Sequence, residues 1–106
     1  MFNEQRTTAR KIFKVKAVAA MDGHAPMLVR TMDISANGVS ISVPEPMQAG
    51  QAGQLSFDLL VDGKAVPITA RVKAMYCIFS SGDFKVGFQF LNLDLNAMTQ
   101  LSRFLR

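Results

Sequence analysis

Two arginines four residues apart, Arg6 and Arg10, stand just ahead of the first apolar alternation in the chain. A guanidinium is a planar fork that grips a phosphate through two parallel hydrogen bonds and also stacks on a base. A second group lies further on, in Asp33-Ile34-Ser35-Ala36-Asn37-Gly38. Asp33 can accept from adjacent N–H donors on a base edge, and Ser35 offers a small donor and acceptor. Gly38 supplies a positive φ or a close backbone approach. Each group alone has an ordinary reading: the first as a solvated basic arm, the second as an Asx-type turn with a glycine.

The elements that must position these residues are short strands. Phe13-Lys14-Val15-Lys16-Ala17 alternates apolar and charged residues, the pattern of a half-buried strand. Met21 to Pro26, with Asp22-Gly23, reads as a turn, and Met27 to Ile34 as the returning strand. Val39, Ile41 and Val43 mark one face of a third strand, which Pro44-Glu45-Pro46 ends. Leu55, Phe57 and Leu59 lead to a tight turn at Val61-Asp62-Gly63-Lys64. Val66, Ile68, Ala70, Val72 and Ala74 then share a face, and Phe84, Val86, Phe88 and Phe90 form the last alternation after a turn at Ser80–Asp83. Six strands at spacings of roughly ten residues predict a small antiparallel barrel or sandwich. A C-terminal helix is expected from the stripe Leu95, Met98, Leu101 and Leu105, capped by Asn92 or Asp94 and packed on the barrel. In this layout one hairpin separates Arg10 from Asp33, so both groups can face each other at one barrel end.

Composition narrows the function. The chain has 106 residues, 49% of them apolar and 19% charged, enough for one domain with a real core. Its net charge of +4 is carried entirely by the first sixteen residues, where five basic side chains meet only Glu4. A compact basic segment on a neutral body points to an anionic partner. One cysteine, Cys77, rules out an intrachain disulfide framework, and one histidine, His24, argues against a His-based metal site. Cys77 lies among apolar residues, where a buried, inert thiol is expected. No paired carboxylates, glycine-rich phosphate loop or zinc spacing is present, so neither catalytic nor metal residues are assigned and no enzyme is expected. The polar start carries no signal-peptide pattern and no run is long enough to cross a membrane, which together predict a cytoplasmic protein.

The combination of R-x-x-x-R with D-x-S-x-x-G resembles the signature of the PilZ domain family, with Arg6, Arg10, Asp33, Ser35 and Gly38 filling every signature position. Gly87-Phe88-Gln89-Phe90 is similar to the family's late glycine–aromatic strand, and Leu93-Asp94-Leu95 to the entry into its C-terminal helix. The resemblance implies an all-β, six-stranded antiparallel barrel with a C-terminal helix over residues 12–106, preceded by a flexible basic arm at 1–11. It also implies a ligand, bis-(3′,5′)-cyclic dimeric GMP, and no cofactor. The arginines would hold phosphates and stack on or bond to guanine, Asp33 and Ser35 would read guanine edges, and Gly38 would let the ligand approach. The residues agree with that assignment. A carboxylate repels the anion in a pure phosphate site, so Asp33 favours a guanine reader over a nonspecific nucleic-acid clamp.

Gln5, Lys11 and Asn37 are secondary candidates. Some family members carry a further arginine where Gln5 stands, a feature associated with gripping an intercalated ligand dimer, so one ligand per domain is expected here. The implied function is a stand-alone second-messenger receptor that orders its arm on binding and signals to a protein partner, in motility, surface attachment or polysaccharide export. Two alternatives are a PilZ-like protein-interaction domain without ligand and a small-barrel nucleic-acid binder. The latter is disfavoured because only Phe13 among the aromatics lies in the basic segment.

Overall fold

Alternation of inward apolar and outward polar side chains recurs along each long strand, and it closes the sheet on itself. The computed structural model describes residues 10–106. Its strands are β1 (Lys11–Ile12), β2 (Lys16–Met21), β3 (Met27–Ile34), β4 (Gly38–Val43), β5 (Ala52–Val61), β6 (Lys64–Ser80) and β7 (Asp83–Asn92), followed by helix α1 (Leu95–Leu105). Around the barrel the order is β3-β2-β5-β6-β7-β4, and β4 pairs back onto β3. Six antiparallel strands thus close, with β1 as a short extra strand on β3. Closure removes the free sheet edges that would otherwise invite association.

The core is filled by the alternation. Val39, Ile41 and Val43 of β4, Leu55, Phe57 and Leu59 of β5, and Ile68, Ala70, Val72 and Ala74 of β6 are all buried. The β5–β6 hairpin turns at Asp62-Gly63, both left-handed at φ 52° and 78°. That is the turn whose twist matches the flanking strands. Among the described residues no helix is long and apolar enough to cross a membrane.

Two expectations need correction. The first strand does not run over Phe13–Ala17, because the ladder is interrupted from Phe13 to Val15 and resumes at Lys16. The reason is Phe13, which turns into the barrel end and packs edge-on between Phe57 (centroids 5.6 Å apart) and Phe104 (5.3 Å). Thr31, fully buried, satisfies the interrupted backbone. Its hydroxyl donates to the Phe13 carbonyl and accepts from the Val15 amide at 2.9 Å. A buried polar backbone needs such partners.

The helix begins where one candidate cap stands: Asp94 Oδ1 accepts from the Ala97 amide at 2.7 Å. Its phase, however, differs from the expected stripe. Ala97 and Leu101 are buried, with Phe104 and Leu105 packed against the core, whereas Leu95 and Met98 are 75% and 48% exposed. Contact between Phe104 and Phe13 sets this rotation. The last turn is tied down twice, by an Arg103–Asp62 ion pair and by Lys11, whose Nζ donates to the Phe104 carbonyl at 3.0 Å and sits 4.4 Å from its ring centre. A cation at a helix C-terminus also complements the helix dipole.

Candidate functional site

The strand registers lay out the site. Asp33 of β3 lies opposite Ser40 of β4, Ser40 opposite Gly87 of β7, and Gly87 opposite Tyr76 of β6. These four residues form one row across the outside of the barrel, and Ile12 of β1 flanks it beyond Asp33. A bulge between Thr31 and Asp33 sets the end of β3 in this register. Bulges commonly re-aim side chains beside functional sites.

Asp33 is the centre of the charge cluster. Its Oδ1 accepts from Arg10 Nε at 2.7 Å and from Ser40 Oγ at 2.8 Å, and it forms an ion pair with Arg10 Nη2 at 2.7 Å. Lys85 of β7 faces Oδ2 at 3.4 Å. Partial burial pushes the Asp33 pKa upward, but the Ser40 hydrogen bond, Arg10 and Lys85 together outweigh it and hold the carboxyl below its ordinary value. Asp33 is therefore a carboxylate at neutral pH. Among the described residues, Asp33, Arg10 and Lys85 form a cluster of net positive charge.

Ser35 closes the turn beneath. Arg10 Nη1 donates to Ser35 Oγ at 3.4 Å, and the same oxygen accepts from the Asn37 amide at 3.2 Å. The Ser35 amide donates to the Gly38 carbonyl at 2.8 Å, and the Phe90 amide to the Asn37 carbonyl at 2.9 Å. Beside this turn a shallow depression of about 220 Å³ is lined by Arg10, Asn37, Gly38, Met75, Tyr76 and Gln89, with β7 backbone as its floor.

Of the two uses expected for Gly38, the structure shows the close backbone approach and not the positive φ. Its φ is not left-handed, and a Cβ built on it would fall 2.0 Å from the Phe88 carbonyl oxygen. The close approach is to β7, so the fold itself requires glycine at this position.

Of the residues singled out in the sequence, Arg10, Asp33, Ser35, Asn37 and Gly38 come together. Lys11 is turned to the opposite side, onto α1. Arg6 and Gln5 lie outside the described residues, and so does all of the arm except its last two residues. The boundary drawn between 11 and 12 falls within β1. His24 sits in the turn after β2, and Cys77 is half-buried, its Sγ accepting from the Met47 amide at 3.4 Å. Ser40, Lys85 and Tyr76 belong to the cluster and its depression and were not singled out. Ser40 carries a legible signal, because it stands across the tight turn from Asp33. Lys85 and Tyr76 depend on registers that pass through the barrel closure.

A family model for the PilZ domain matches residues 4–106. The chain belongs to the PilZ domain family. Solved structures share its fold at low identity. The Bacillus subtilis inhibitor of motility MotI/DgrA superposes with a TM-score of 0.82 at 14% identity, over 95% of this chain and 50% of that one. The chain thus spans about half the length of that protein. The PilZ domain of CeSA, from a cellulose-synthesising bacterium, gives 0.59 at 18% identity over 91% and 93% of the two chains. The Borreliella burgdorferi protein PlzA, solved in complex with cyclic di-GMP, gives 0.61 at 17% identity over 100% and 38%. No curated protein matches the chain by sequence.

Proposed function

We propose that this PilZ domain is a receptor for cyclic di-GMP that passes the signal to a protein partner. The observation that carries the reading is the Arg10–Asp33–Ser35 cluster at the rim of an open depression. It combines a phosphate fork with a carboxylate and a hydroxyl. That pairing suits a ligand bearing both an anion and a base with N–H donors, and it suits a bare polyanion poorly.

Without ligand, Arg10 is engaged by Asp33 and Ser35. Binding exchanges these contacts: the guanidinium turns to phosphate or stacks on guanine, and Asp33 takes the guanine N1–H and 2-amino group. Ser40 and Lys85 stay on Asp33 and keep it charged while Arg10 is away. Arg6, from the same R-x-x-x-R segment, supplies the second fork. Fixing the arm that precedes β1 across the Asp33–Gly38 turn creates the surface that a partner reads. The motility inhibitor among the structural neighbours makes motility the first process to test, with surface attachment and polysaccharide export next.

Titration calorimetry against cyclic di-GMP, GTP and single-stranded RNA tests the reading. Saturable binding of cyclic di-GMP alone, with one ligand per chain, is expected. Comparable, steeply salt-dependent binding of all three would identify a polyanion clamp instead.

A further inference from the structure

The phenol of Tyr76 lies across Gly87, its partner on the neighbouring strand. A Cβ on Gly87 would fall 2.1 Å from a Tyr76 ring carbon, so the absent side chain is what lets the ring lie down. A bulge between Ala74 and Tyr76 breaks the alternation of β6 at this point. As a result Met75 and Tyr76 are both outward, 51% and 41% exposed, at the edge of the depression that Arg10 shares.

Through the row Asp33–Ser40–Gly87, the ring over Gly87 sits two strand spacings from Asp33, about 10 Å. A purine whose donor edge rests on Asp33 extends across that gap. One wall of the gap is a guanidinium and the other an aromatic face. Both present flat surfaces to a base, and base–aromatic stacking is strong where an exposed ring is already in place.

Building on the receptor reading, we infer that Tyr76, laid over Gly87, is the stacking platform for one guanine of the bound ligand. The ring and the bulge that aims it extend the charged cluster into a base subsite. It accepts a purine by shape, and Asp33 then selects guanine.

The chain has one tyrosine and no tryptophan, so its intrinsic emission reports on Tyr76 alone. Cyclic di-GMP should quench that emission in step with calorimetric binding. Tyr76→Ala should weaken binding roughly tenfold or more, while Tyr76→Phe stays within about threefold of the parent. Tyr76→Leu, apolar but not flat, should lose affinity as the alanine variant does, and circular dichroism checks that each variant is folded. Gly87→Ala, which displaces the ring, should reduce both quenching and affinity. Calorimetric binding with unchanged tyrosine emission, or parent-like affinity in folded Tyr76→Ala, overturns the platform and leaves the receptor reading standing. Absence of calorimetric binding by the parent chain refutes the receptor reading and the platform with it.

Discussion

Replacing Asp33 with alanine removes the shared acceptor of Arg10, Ser40 and Lys85 and leaves two cations facing each other without a counter-charge. For a guanine ligand the change deletes the partner of N1–H and of the 2-amino group. Hydrogen bonds to a charged group contribute about 1.5–3 kcal/mol each. The full value of two is not expected, because Asp33 is already satisfied by Arg10 in the free protein and ligand binding exchanges one set of bonds for another. A net loss near that of one such bond, roughly tenfold to a hundredfold in affinity, follows at 1.4 kcal/mol per decade. For cyclic di-AMP the sign reverses. Adenine offers neither donor, and two unopposed cations attract its phosphates more strongly than before. The assay is calorimetry of both dinucleotides against parent and Asp33→Ala at one fixed salt concentration. The preference for cyclic di-GMP should collapse from both sides. Unchanged or tighter cyclic di-GMP binding by the variant would refute the guanine-reading role of Asp33.

Arg10→Ala, and equally Arg6→Ala, should weaken cyclic di-GMP about tenfold or more in the same assay. Arg10→Ala should shift folding stability by no more than about 1 kcal/mol, because Arg10 is 45% exposed and Asp33 keeps Ser40 and Lys85 as partners. The Asp33 carboxyl, with its pKa held below the ordinary 3.8, contributes stability that is complete above that value and is lost as pH falls through the folded value. Lys85→Met removes one of the charges that hold the pKa down, so in urea melts across the acid range its loss of stability should be smaller and should be complete at higher pH than in the parent. Gly38→Ala should destabilise the ligand-free protein by about 1–3 kcal/mol, seen as a lower melting temperature, because the atom it strikes is backbone.

Strand positions were legible wherever one face met the core and the other met water. Met27–Ile34 is bounded by the turns on either side of it, and β4 begins one residue before Val39. Phe13 misled because it belongs to an apolar alternation yet serves as the plug of the barrel end, where packing on Phe57 and Phe104 outweighs the ladder. The helix was visible by period, but its rotation was not. Ala97 and Phe104 face inward in place of Leu95 and Met98, a choice made by the tertiary contact. In the site, the Arg10–Asp33 pairing was readable because a single hairpin separates the two residues. Lys85 and Tyr76 lie some fifty and forty residues beyond Asp33 and reach the cluster through registers broken by bulges at Thr31/Asp33 and Ala74/Tyr76. Periodicity alone does not locate a bulge.

Phe13 also makes the chain behave as a phased tether. Lys11 and Phe13 both touch Phe104 on one side, while Arg10 leaves on the other to meet Asp33. Successive residues of extended chain point to opposite sides, so the four residues from Arg10 to Phe13 act as a parity counter. Inserting one residue between Lys11 and Phe13 would conserve every side chain and every charge, yet send the arginine to the helix side and the lysine to the carboxylate. Inserting two would restore the sides but move the guanidinium about 7 Å along the chain. Divergence in this part of the chain is thus constrained in length as tightly as in composition, and a homologue keeping both arginines but changing this count would present them to a different surface.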